Sequence, residues 1–143
     1  MKEVRIEKPF NLVMKVVDID DVTPSFQMDI DIKASNAHGS FTFKDSRWIQ
    51  CSEWDAFTYN LSRLILGEKR ILCDVNRDFQ LSIQKLNKEE YFIEFVNART
   101  DVTGKKVQFS VSDVIDRDAL VSISNAFEDF PRWWHMLMVR IGH

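Results

Sequence analysis

Hydrophobic residues fall on every second position over several stretches of this chain, and that period predicts strands. In FQMDIDIKA, residues 26–34, Phe26, Met28, Ile30, Ile32 and Ala34 alternate with Gln27, Asp29, Asp31 and Lys33, the pattern of a strand buried on one face. The preceding NLVMKVVDI reads as its antiparallel partner, because the intervening DDVTPS supplies aspartates, a proline and a serine suited to a turn. HGSFTFK adds a third strand, with Phe41 and Phe43 opposite Ser40, Thr42 and Lys44, entered through a turn at residues 36–39. Residues 4–6 supply a fourth strand at the edge.

The period then lengthens. In CSEWDAFTYNLSRLILGEK the residues Trp54, Phe57, Leu61, Leu64 and Ile65 recur at helical spacing. Ser52 is placed to cap that helix, with Asp55 completing a shortened capping box and Gly67 ending it. Four more strands follow at short spacing: RILCDV, FQLSIQKL, YFIEFVNA and KKVQFSVS. A last helix starts at Asp116, which caps it, carries Ala119, Leu120, Ile123, Ala126, Phe127 and Phe130 on one face, and stops at Pro131. The expected fold class is α+β: an antiparallel sheet of seven to eight strands with two principal helices, in a duplicated plan of four strands and a helix.

Composition narrows the class. A chain of 143 residues with 45% hydrophobic residues and 11 phenylalanines suits one packed domain, residues 1–143, while 29% charged residues suit a solvated exterior. The opening MKEVRIEKPF lacks the apolar run of a signal peptide, and no segment reaches membrane-spanning length, so a cytoplasmic location without membrane contact is expected. Cys51 and Cys73 have no CxxC or metal-ligand spacing and read as free, buried thiols.

Candidate chemistry is sparse. His38, His135 and His143 are scattered, and no nucleophile elbow, zinc motif or glycine-rich phosphate cradle is present. The expectation is therefore a protein that is not an enzyme and takes no cofactor or metal. What stands out is acid. Asp18, Asp20, Asp21, Asp29 and Asp31 fall within a stretch where only Lys15 and Lys33 at its ends carry positive charge, and pairing of the two strands would gather the carboxylates at one end and one face of the hairpin. Such a face is simply solvated, a surface for a basic partner, or a set of acids put to enzymatic use, although neither EF-hand spacing nor any test of a glycosidase pair is readable here.

Aromatic residues open an alternative, since single-stranded nucleic-acid binders combine stacking platforms with a basic groove. The duplicated sheet-rich plan resembles, in architecture, the Whirly and Pur classes of such proteins. A net charge of -3 offers a polyanion no bulk attraction, and the basic pairs Lys69–Arg70 and Lys105–Lys106 are separate, so nucleic acid is not the expected partner. After DFP the closing RWWHMLMVRI carries Trp133, Trp134, Met136, Leu137, Met138, Val139 and Ile141, too much apolar surface for one face to hide. It either closes the core or forms an aromatic and methionine-rich patch for a partner or a homodimer.

The segments SRWIQCSEWDAFTYNLSRL and VQFSVSDVIDRDALVSISNAF, with short alternating strands between them, resemble the small bacterial immunity proteins of the WapI kind over residues 26–130. The resemblance consists of a strand leading through a tryptophan into the first helix and a late strand whose terminal aspartate leads into the last. It implies a cytosolic antitoxin that binds and occludes a cognate toxin domain, often a nuclease, and that needs no catalytic residues of its own. From the pattern of residues, Asp29 and Asp31 are the leading partner-binding candidates, followed by Asp18, Asp20 and Asp21, with Trp133 and Trp134 as anchors.

Overall fold

An extended chain turns successive side chains to opposite faces, so FQMDIDIKA commits five apolar residues to one side of a sheet. In the computed structural model, which describes residues 3–135, it forms the centre of β3 (Ser25–Asn36), where Met28, Ile30 and Ile32 are buried. β1 (Glu3–Ile6), β2 (Asn11–Asp20), β3 and β4 (Gly39–Gln50) make one antiparallel sheet in chain order. β5 (Lys69–Cys73), β6 (Phe79–Lys85), β7 (Glu90–Thr100) and β8 (Lys106–Asp116) make a second. α1 (Cys51–Thr58) follows the first sheet and α2 (Arg117–Glu128) the second, which is the duplicated α+β plan. The strands divide between two sheets instead of continuing in one.

α2 matches its sequence signature closely. Asp116 caps it, Oδ1 accepting from the Ala119 N–H at 2.8 Å, and Leu120, Ile123 and Phe127 face the core. The first helix differs from the expectation. It ends at Thr58, where Tyr59 N–H donates to the Asp55 carbonyl and Asn60 takes a left-handed conformation at φ 50. Tyr59 has already left the helical region at ψ 115, so the stop comes well before Gly67, and Asn60, which tolerates the left-handed conformation, leads into the next turn. A 3-10 turn at Leu61–Arg63 continues the chain, leaving Leu61 and Leu64 buried but Ile65 and Leu66 exposed. Gly67, at φ 80, serves the turn into β5. Nor does Ser52 cap α1: the flanking residue is Gln50, which makes no side-chain cap, and the Pro24 carbonyl takes the Cys51 N–H at 3.0 Å. A carbonyl from the β2–β3 connection thus does what a capping side chain would have done.

Aromatic rings join the halves. Trp54 of α1 lies 4.6 Å from Phe130 and 5.1 Å from Phe127, centroid to centroid, and Phe26 of β3 meets Trp54 edge-on at 5.4 Å. Trp134 stacks on Phe26 at 5.5 Å and is fully buried, so its indole belongs to the core. Each such buried ring contributes on the order of 1.5–3 kcal/mol. Met136, Leu137, Met138, Val139, Ile141 and His143 lie outside the described residues.

Candidate functional site

The register of the first sheet decides which acids share a face. β3 pairs Gln27 with Asp18, Asp29 with Lys15 and Asp31 with Val13 on one side. On the other side it pairs Asp29 with Ser46 and Asp31 with Lys44. Asp29 and Asp31 therefore stand together on the outer face, away from Met28, Ile30 and Ile32, and Asp18 joins them across the β2 edge of β3. The face is of mixed charge, because Lys15, Lys33 and Lys44 occupy the same side.

A groove of about 620 Å³ lies there, lined by Gln27, Asp29, Asp31, Lys44, Ser46 and Arg99. Ser46 Oγ donates to Asp29 Oδ1. Lys44 Nζ stands 3.7 Å from Asp31 Oδ2, whereas Asp31 Oδ1 is shielded from solvent and accepts no hydrogen bond. Asp20 is spent locally, its Oδ1 accepting from the N–H groups of Val22 and Thr23 at 2.9 and 3.3 Å. Asp18 accepts from the next N–H, of Ile19, at 2.8 Å, and Asp21 is exposed in the turn.

Behind the groove lies a charged cluster that the sequence reading passed over. Asp45 and Arg47 face inward from β4, on the side of Phe43 and Ile49. Arg47 Nη2 donates to Asp45 Oδ2 at 2.8 Å and to the Ala98 carbonyl at 2.6 Å, and Nε donates to Asn97 Oδ1 at 3.1 Å. Its Nη1 lies 3.5 Å from both Asp74 Oδ2 and Asp78 Oδ2. Asn97 Nδ2 donates to Asp45 Oδ2 at 3.0 Å, and Arg99 reaches the other Asp45 oxygen from the groove. Asp74 Oδ1 in turn accepts from the Asp78 and Phe79 N–H groups at 2.8 and 3.0 Å. Arg47, Asp45, Asp74 and Asn97 are all buried, and burial of ions is tolerable only with such full pairing. Chemically the cluster is a clamp between the sheets, with Val75 N–H donating to the Trp48 carbonyl beside it at 2.9 Å. The signal was present as Phe41, Phe43, Asp45, Arg47 and Ile49, one continuous alternation of which only the first two residues were read as strand.

The tryptophans divide. Trp134 is buried, and its Nε1 donates to Asp55 Oδ2 at 2.9 Å, so its ring is occupied by its own chain and is not presented to a partner as an anchor. Trp133 is half-buried, edge-on to Phe26 at 5.5 Å. His135 Nε2 lies 3.2 Å from both Asp55 oxygens, and Arg132 Nη2 donates to Thr58 Oγ1 at 3.1 Å, fastening this segment to α1.

Both cysteines are buried and free. Burial, and next the Asp55 charge, push the Cys51 thiol up to about 12, and burial with Glu53 raises that of Cys73. Neither is poised for nucleophilic use. Lys69 and Arg70 begin β5 while Lys105 and Lys106 lead into β8, strands at opposite edges of the second sheet. Arg70 is also engaged by Glu68 at 2.7 Å. Among the described residues no group of histidine, cysteine, aspartate and glutamate is arranged to hold a metal, and no helix is long and apolar enough to cross a membrane. No family model, curated protein or solved structure matches the chain.

Proposed function

We propose that the protein is a cytosolic binding protein that neutralises a cognate protein toxin domain by occluding it, with the groove across β3 and β4 as the contact surface. The observation that carries this reading is the placement of Asp29 and Asp31 side by side on an inner strand. Their backbone is held from both sides by β2 and β4, and the Arg47 clamp lies behind them. Charges presented from a rigid strand lose little freedom on binding, and a face that mixes carboxylates with Lys44 and Arg99 selects a partner of complementary pattern. The carboxylate of Asp31 is half-exposed, and its Oδ2 meets Lys44 only at 3.7 Å, which leaves that oxygen open to a second cation such as a lysine or arginine of the toxin. Asp18 extends the acidic side of the surface, and Trp133 is the aromatic nearest to solvent at the closing segment.

The single-stranded nucleic-acid reading is supported by the duplicated sheet-and-helix plan alone. It needs its basic pairs to converge, and opposite sheet edges work against that.

The test is co-expression with the toxin. Replacing Asp29 and Asp31 together by lysine is expected to weaken protection at least tenfold in the toxin dose tolerated, equivalent to about 1.4 kcal/mol or more of binding energy. The same double variant should melt within a few degrees of the parent, since both positions are on the outer face. Undiminished protection by a folded double variant removes this groove from the contact surface.

A further inference from the structure

The two sheets have four edge strands, and three of them are blunted. β1 is only four residues long. β5 has five residues, opens with Lys69 and Arg70, and is packed against α1. β4 is long but points Asp45 and Arg47 inward, a device that bars a foreign strand from continuing the sheet. β8 is different. It runs eleven residues, pairs with β7 without a register shift, and carries the uncharged stretch VQFSVS at its centre. Val107 is exposed, and Phe109 and Val111 are half-buried.

The backbone groups available on this edge follow from the hairpin. Asp101 N–H donates to the Lys105 carbonyl at 2.9 Å, closing the β7–β8 turn with a hydrogen-bonded pair. Hydrogen-bonded and open pairs alternate along an antiparallel ladder. Val107, Phe109 and Val111 therefore turn their N–H and C=O groups toward β7, whereas Lys106, Gln108, Ser110 and Ser112 turn theirs outward.

We propose that β8 is a self-association edge, pairing antiparallel with β8 of a second copy about a two-fold axis at Phe109. The sequence is self-complementary about that residue. Phe109 meets its own counterpart, Val107 meets Val111, Gln108 meets Ser110, and Lys105 meets Asp113, all on matching faces. The outward groups of Lys106, Gln108, Ser110 and Ser112 find partners across the axis, and the lysine and aspartate at the two ends make opposite-charge pairs twice over. A groove of about 560 Å³ already flanks this edge, between residues 108–113 and Phe10, Ala34, Asn36 and Phe41. A contact of this kind is isologous and closes as a dimer. It is independent of the toxin-binding reading, which uses the outer face of the other sheet.

Sedimentation of the full chain over a concentration series should show a species of twice 16.8 kDa that dissociates on dilution. Ser110→Pro removes an outward N–H without touching the β7 ladder and is expected to leave a monomer. Register is tested by charge. Lys105→Asp alone and Asp113→Lys alone should each weaken the dimer on the order of tenfold, and the two together should restore it. A monomer at all concentrations would overturn the proposal. A dimer that neither the charge exchange nor, in a folded variant, the proline disturbs would overturn it equally, since association would then use another surface.

Discussion

α2 runs twelve residues from an aspartate that caps it with its own side chain, whereas α1 runs eight, begins without a side-chain cap and ends where Tyr59 turns extended. Both follow four antiparallel strands, yet the first helix borrows what the second carries. Pro24 supplies the carbonyl at its start, and Trp134, His135 and Arg132 attach to Asp55 and Thr58. A short helix in isolation does not offset the cost of its own nucleation. Tertiary contacts stabilise α1, and the comparison teaches that an unreadable helix end is a place where the rest of the chain has to arrive.

That difference can be broken at several points. The clamp between the halves should matter most. Arg47→Ala leaves Asp74 buried without its guanidinium and Asp45 with Arg99 as its remaining cation, and is expected to cost about 3–5 kcal/mol in chemical denaturation. Replacing Arg47 by methionine, which fills the space without a charge, should not recover this loss while the two aspartates remain. Trp134→Ala should cost a similar or slightly smaller amount, about 3–5 kcal/mol. Amide exchange would then rise first in α1, because its Asp55 attachment is lost, and only later in α2. The opposite order would mean that the closing segment serves the second half.

Smaller effects sharpen the contrast. Asp116→Ala removes the α2 cap and should cost about 1 kcal/mol, while Ser52→Ala, which would be equally costly were Ser52 a cap, should change stability by less than about 0.5 kcal/mol. The smallest effect is one of pH. The folded state holds the Cys51 thiol protonated to about 12, against 9.0 for an unperturbed group. Folded protein therefore binds more protons than unfolded between these values, and stability falls as pH rises through that window. A Cys51→Ala variant should show a shallower alkaline slope of unfolding free energy, and both thiols should resist alkylation near neutral pH until the protein unfolds.

Much of this was legible beforehand for local reasons. The alternation in FQMDIDIKA depends only on strand geometry, so β3 and its buried face were readable from residues 26–34. Asp116 was readable as a cap because capping is settled within three residues. The outer face holding Asp29 and Asp31 followed from the same alternation, but the lysines that make it mixed in charge needed the register. Asp45 and Arg47 were missed for a physical reason: charged residues in an apolar alternation read as the end of a strand, unless a partner is known to receive them. Those partners, Asn97 on β7 and Asp74 in the β5–β6 connection, belong to the other half of the chain.

By itself the sequence determined the strands, their order, the second helix and its cap, because each depends on residues within one or two turns of chain. Only the tertiary structure decided that the strands form two sheets, that Arg47 clamps them, that α1 stops at Thr58 and that Trp134 is core. Each of those outcomes depends on which distant surface a side chain meets, and on whether that surface supplies the hydrogen bonds or apolar contacts that make its burial favourable.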